Sequence, residues 1–276
     1  MSRVLNVPRN SFYHWLSQKP SKRCVENGRL TIEIVKTYKA SRQIYGSPRI
    51  AQELRSQGII ISRPRVARLM QAVNIKSILR KKYVATTDSK HKYPVAPNHL
   101  DRNFQSGQPN KFWVSDTTYI RTLMGWAYLT TVIDLGDRKV IGWTVSSNLT
   151  AEDTAIAAFK RAIRNRPITQ PLIFHSDRGV QYACHQFTEL IAKNNLITQS
   201  MSRKGNCWDN AVAESFFKTI KHEWTNRFVY KNHRDVELSI FDYIESYYNT
   251  HRRHSALQNM TLTEFNNYLN QSKIAA

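Results

Sequence analysis

The stretch from Phe112 to Val145 constrains the fold more than any other part of the chain. It holds three runs rich in β-branched and aromatic residues, Phe112–Ile120, Trp126–Ile133 and Lys139–Val145. Only short breaks separate them, at Leu123-Met124-Gly125 and Gly136-Asp137. Runs of this kind read as strands, and breaks this short join them as an antiparallel meander. The period then changes. A helix is expected over about Ala151–Arg164, a strand at Leu172–His175, and helices over about His185–Asn194 and Asn210–His222. A meander followed by alternating helix and strand packs as an α/β layer around a mixed sheet. The segment Val236–Leu269 looks mainly helical.

Charge separates this body from what precedes it. Of 276 residues, 41 are Lys or Arg and 20 are Asp or Glu, a formal charge of +21. Residues 1–100 carry 20 of the basic residues and 4 of the acids, a net +16. The rest carry 21 and 16, a net +5. Charge this far from zero and this segregated points to a polyanionic partner, and nucleic acid is the commonest. A hydrophobic content of 41% excludes a wholly disordered basic protein. No apolar run is long enough to span a bilayer, no amphipathic anchor is found, and Met1-Ser2-Arg3-Val4 leads into no signal-like stretch. Cys24, Cys184 and Cys207 fit no disulfide or zinc spacing. A cytosolic protein is expected, without a membrane partner.

Within the basic front, Val7 to Leu16 reads as the later half of a helix-turn-helix whose first helix is missing. Leu30 to Tyr38 has helical spacing. Pro48 opens a helix carrying Ile50 and Leu54 that ends near Gly58. Ser62 is a fitting N-cap for a helix lined by Val66, Leu69 and Met70. Helix, Gly-containing turn and helix, with Arg63, Arg65 and Arg68 on the second, read as a helix-turn-helix. A generic helical hairpin with a solvated basic face is the alternative. From Tyr83 to Lys111 the pattern dissolves into Pro, Gly, Asn and Ser, which reads as a linker. The expected division is a basic helix-turn-helix region over 1–82, a linker over 83–105 and a globular body beyond it.

Three acids then stand out. Asp116 lies inside the first strand, where an unpaired carboxylate is expensive unless it is partnered or holds metal. Asp177 directly follows the fourth strand, at the sheet end where ligands collect. On the helix at Asn210–His222, Val212, Phe216 and Ile220 share one face, while Glu214, Lys218 and Lys221 share the opposite one. Singly, each acid has a plain explanation: a satisfied core acid, a turn residue, and a partner of Lys218 four residues on. Together they are the hard oxygen donors that Mg²⁺ takes in phosphoryl transfer. Asp134 is expected to order a turn toward Arg138, and Asp209 to N-cap the Glu214 helix. His175 could shuttle protons, with a structural role the stronger reading.

Motifs carry the reading further. Trp113-Val114-Ser115-Asp116-Thr117-Thr118-Tyr119, His175-Ser176-Asp177-Arg178-Gly179-Val180-Gln181-Tyr182 and the run Ser200 to Phe217 resemble the OrfB-type transposases of the IS-three family. These belong to the DDE transposase and retroviral integrase superfamily. Tyr248-Asn249, Arg252 and His254-Ser255-Ala256-Leu257 resemble the family's closing motif. Tyr45 to Ile50 and Val66 to Met70 resemble its helix-turn-helix module. The resemblance spans nearly the whole chain. It implies an RNase H-like catalytic core over 106–265, followed by a tail over 266–276, with Asp116, Asp177 and Glu214 as the catalytic triad holding Mg²⁺, for which Mn²⁺ could substitute. It implies double-stranded DNA as substrate, at element ends and at the target, a homo-oligomer in the bacterial cytoplasm associated with the nucleoid, and partnership or frameshift fusion with an upstream OrfA product. DNA contacts are expected from Lys218, Lys221, Arg203, Lys204, Asn210, Arg63, Arg65 and Arg68. One residue more than the family's usual spacing separates Asp177 from Glu214, and it is expected near Asn194–Ile197. Arg178 should turn away from the metals.

The reaction implied is metal-dependent cleavage at element ends followed by attack of the freed 3′-hydroxyl on a second phosphodiester. A DNA-binding repressor or inactive transposase remnant is the alternative from another class, and an RNase H-type nuclease is a third.

Overall fold

The computed structural model describes residues 8–78, 93–104, 107–203 and 206–274. Val7, Lys204 and the linker positions 83–92 and 105 lie outside them. The chain divides into two compact units, Met1–Ile78 and Leu79–Ala276.

In the first unit, α1 (Arg9–Ser17) buries no side chain, and Phe12, Tyr13, Trp15 and Leu16 are all exposed. Helices α2 (Lys22–Ala40), α3 (Ser47–Ser56) and α4 (Arg63–Ala72) pack around Ile34, Ile50, Leu54, Val66 and Met70. Pro48 sits in the first turn of α3. At its end Gly58 adopts φ +82°, a left-handed conformation that costs glycine nothing. The Ser62 hydroxyl caps α4 by accepting from Arg65 N. The expected two-helix pattern is therefore present, with α2 as its third wall.

The second unit is built on a five-stranded sheet of order β3-β2-β1-β4-β5. Its strands are β1 (Phe112–Thr122), β2 (Gly125–Asp134), β3 (Val140–Ser146), β4 (Leu172–Ser176) and β5 (Ile197–Met201). The first three form the expected antiparallel meander, while β4 joins β1, and β5 joins β4, in parallel. Gly125 at φ +118° closes the β1–β2 turn. One π-helical turn, Glu152–Ile156, leads into α5 (Ala157–Asn165), which crosses β3 closely. A side chain at Gly142 would collide with the Ala158 carbonyl and Ala162, so only glycine lets helix and sheet approach this far. Beneath α5, Trp113, Phe159, Phe174, Tyr182 and Phe187 fill the core in mainly edge-to-face contacts. α6 (Val180–Ala183) and α7 (His185–Ala192) follow β4. Beyond β5 come a 3₁₀ turn at Cys207–Asn210, α8 (Ala211–Glu223), α9 (His233–Tyr243) and α10 (Leu262–Ile274).

Part of the expected linker is instead integral to this unit. Leu100 is buried, and the Ser200 hydroxyl accepts from the backbone N–H of both His99 and Leu100. The segment has no repeating pattern because side chains, not a ladder, satisfy its backbone.

Candidate active site

Parallel register brings the first two acids together. Ser115 of β1 stands opposite Ser176, the last residue of β4, so Asp116 and Asp177 are the next residues along the two chains. An Asp116 carboxylate oxygen accepts from Thr117 N at 2.8 Å, and one of Asp177 accepts from Gly179 N at 2.9 Å. Below them, the Ser115 hydroxyl meets the buried Tyr182 hydroxyl at 2.8 Å. Asp116 is held well above the ordinary carboxylate range, first by burial, then by the Asp177 charge, with a further contribution from Glu214. Lys221 opposes that rise and is itself lowered by burial.

Helix α8 supplies the third acid. Ala213, Phe216, Phe217 and Ile220 are buried, while Glu214 and Lys218 are exposed and Lys221 is half-buried. The helix thus turns Glu214 and Lys221 toward the strand that carries Asp116. Burial raises Glu214 as well. Among the described residues, no group of three or more His, Cys, Asp or Glu side chains stands close enough to hold a metal ion. The three acids share one field without being drawn into one coordination shell.

Several neighbours have other duties than expected. Asp209 does not cap α8. It is fully buried and accepts from Arg203 N, from the Arg203 and Arg102 guanidinium groups and from Asn98. These bonds, Arg203 first, hold its carboxyl below the ordinary range. Arg203 also pairs with Asp101, so its guanidinium staples the loop before α8 to the segment around residue 100. Asn210 is buried and donates to the Ser115 carbonyl, which locks the start of α8 beside Asp116. Asp134 pairs with Arg166 and accepts from Asn110 N, Gly136 N and the Trp113 indole. The turn toward Arg138 is ordered by Asp134 as expected, through Gly136 N on its carboxylate and Arg138 N on its carbonyl, while the Arg138 side chain donates to the Phe104 carbonyl. Arg178 donates to the Ser202 carbonyl.

His175 is fully buried between Ser200 and Ser202. Ser202 can donate to the Ser176 carbonyl, and Ser200 already accepts two backbone N–H groups. The one pattern that satisfies all of them has Ser200 donating to Nδ1 and Nε2–H donating to Ser202. Burial lowers the imidazole to about 4. It is a neutral tie between β4 and β5, not a shuttle.

In the first unit the three arginines of α4 part company. Arg65 reaches back to Glu26 at 2.8 and 3.2 Å and to Asn27, whereas Arg63 and Arg68 are exposed.

The integrase core domain family matches residues 106–207, a second family of that description matches 195–261, and an HTH-like domain family matches 26–83. The 31 kDa protein of insertion element IS600 from Shigella sonnei is 39% identical over 266 residues, covering 96% of this chain and 97% of its own length. Transposase InsF for insertion sequence IS3A of Escherichia coli strain K12 is 35% identical over 269 residues, covering 97% and 93%. The chain belongs to the IS3-family transposases. The HTLV-2 integrase catalytic core domain in complex with magnesium is similar at a TM-score of 0.43 and 18% identity, covering 57% of this chain and 96% of that one. Among the described residues of this transposase, no helix is long and apolar enough to cross a membrane.

Two further features of the transposase escape a sequence reading. Glu223 and Arg252 form a buried bidentate pair at 2.6 and 2.8 Å, and the Tyr243 hydroxyl donates to the same carboxylate at 2.7 Å. The Asn249 amide exchanges two hydrogen bonds with Val140 at the start of β3. The closing motif therefore fastens the end of α8 and the edge of the sheet. One signal was available: Glu223 falls in register with Phe216 and Ile220, an acid on an apolar face.

Proposed function

We propose that Asp116, Asp177 and Glu214 form the catalytic site with which this IS3-family transposase cuts and rejoins DNA. As a family member the chain is a polynucleotidyl transferase acting in DNA transposition. The observation that carries the finer reading is the shared field of the three acids, with Asp116 in β1 beside Asp177 at the end of the parallel strand β4 and Glu214 turned toward them from α8. Asp116 is raised first by burial and then by the neighbouring carboxylates, which Thr117 N and Lys221 offset incompletely, so the site calls for added positive charge. The donor set, all hard oxygen, fits Mg²⁺ or Mn²⁺.

Asp116 and Asp177 would hold such an ion from the rigid sheet, and Glu214 from the exposed first turn of α8. When bound it stabilises charge on the attacking and leaving oxygens of an in-line displacement. Thr117 N and Gly179 N orient the two aspartates by each donating to one carboxylate oxygen. Lys218 faces solvent one turn beyond Glu214, where a DNA phosphate can reach it. Exposed Arg63 and Arg68 offer phosphate contacts from the helix-turn-helix, with Arg65 bracing α4. The unburied aromatic residues of α1 support completion of that region by a further element, an OrfA product or a second copy.

The test is cleavage of a labelled oligonucleotide carrying an element end. Nicking at the end and joining to a second duplex are expected with Mg²⁺ or Mn²⁺ and not with chelator. Tight, specific binding without any cleavage under either metal would favour a repressor or an inactive remnant instead.

A further inference from the structure

The β1–β2 hairpin runs past the rest of the sheet. β4 ends at Ser176 opposite Ser115, so β1 continues beyond Asp116 without a β4 neighbour. Residues directly opposite on antiparallel strands share a face. The register pairs Tyr119 with Tyr128 and Arg121 with Trp126, placing all four on the face opposite Asp116. Tyr119 is 38% and Trp126 51% exposed. Their rings meet edge to face at 6.2 Å, Tyr128 supports Tyr119 at 5.2 Å, and the Arg121 guanidinium lies 6.0 Å from the Trp126 ring centre.

This exposure does not come from a fraying tip. Leu123 N donates to the Tyr230 carbonyl at 2.9 Å and Met124 N to the Lys231 carbonyl at 3.2 Å. The Thr122 hydroxyl donates to the Gly125 carbonyl across the turn. A clamped hairpin thus presents aromatic rings to solvent, an arrangement that marks a binding surface. Its charge narrows the partner. From Thr117 to Ile133 there is no Asp or Glu, and Arg121 is the one charged residue. Rings with a cation and no carboxylate suit nucleobases and phosphate, because every base has a π-face and every phosphate a negative charge. Tyr119 is three residues beyond Asp116, about 10 Å along the strand or roughly three base steps.

We propose that Tyr119 and Trp126 form a platform on which an unpaired base of the DNA stacks, with Arg121 against the adjoining phosphate. The proposal rests on the transposase reading and adds to it a preference for DNA opened near the reacting end. On the Asp116 face β1 is buried beyond the carboxylate, at Thr118 and Ile120, so the platform lies on the one open face of the hairpin and a DNA strand passes from it to the carboxylates around the edge that β4 leaves unpaired after Ser115.

The test titrates the full chain against a blunt duplex and against the same duplex with a short single-stranded oligothymidine extension. Roughly tenfold tighter binding to the extended duplex is expected, the effect of one stacked base. Trp126→Ala and Tyr119→Ala should each abolish that preference while leaving blunt-duplex affinity within about twofold, and Trp126→Phe should keep most of it. Iodouridine in the extension should crosslink to Trp126 or Tyr119 in the unsubstituted protein, a readout independent of how the variants fold. Preference retained in both alanine variants, no preference in the unsubstituted chain, or crosslinks confined to other segments would overturn the platform. So would a dimer lost in Trp126→Ala with DNA preference unchanged, which would make the face an interface between copies. Failure to bind either duplex would instead count against the DNA reading itself.

Discussion

His175 shows how a single side chain's environment decides its work. Two serines and a buried position leave the imidazole room for one proton, and its affinity for a second is lowered to about 4 from 6.5. A depressed value means that the unfolded chain takes up the proton first as pH falls. The stabilisation is complete above about pH 6.5 and is lost on the way down to about 4. It amounts to up to about 3 kcal/mol. Urea unfolding across that range should show an acid-sensitive slope that His175→Asn loses, and equal slopes in the two proteins would contradict the tie. At this scale the sequence was legible in part. Asp116 could be singled out as a carboxylate within a strand, while Asp177 and Glu214 stood out by position, after a strand end and on the helix face away from the packing stripe. The duties of Arg65, Arg203 and Asp209 could not, since their partners lie far off in the chain or on another element.

At the scale of elements, α8 is held at both ends. Asn210 fixes its start to β1, and Glu223 fixes its end to Arg252 and Tyr243. Removing one member of a buried pair leaves a charge without its counterpart, so Arg252→Met should cost about 3–5 kcal/mol. Adding Glu223→Gln should recover much of that loss, and an Arg252→Met protein as stable as the parent in urea would refute the clamp. The lysines of α8 divide in a similar way. The sequence placed Lys218 and Lys221 together as phosphate contacts, worth about two units of salt dependence. Lys221 is half-buried beside Asp116, so Lys218→Ala should lower the slope of log affinity against log salt by about one unit. An unchanged slope would return Lys218 to a solvated helix face. Strand and helix periods made most of these elements readable in advance. β5 and the segment around Leu100 were harder, because β5 is largely polar, Thr198-Gln199-Ser200 at its centre, and the segment depends on Ser200 rather than a ladder.

For the whole molecule, the net charge of +16 over residues 1–100 supplies attraction to DNA without fixing register. Helix α1, with none of its side chains buried, adds no rigid reading element by itself. In competition binding at physiological salt, the 276-residue chain should favour the terminal inverted repeat over random duplex by less than roughly a thousandfold. Greater selectivity would show that α2 to α4 read the ends unaided. The central claim is that three acids, far apart in sequence, make one site for the chemistry and not for DNA affinity. Glu214→Gln tests it most directly, because it removes a charge from an exposed helix position with little change in shape. Strand cleavage of an end-bearing duplex with Mg²⁺ should fall below detection while DNA affinity stays within about twofold of the parent. Cleavage that survives the substitution, or that falls only in step with binding, would contradict the account.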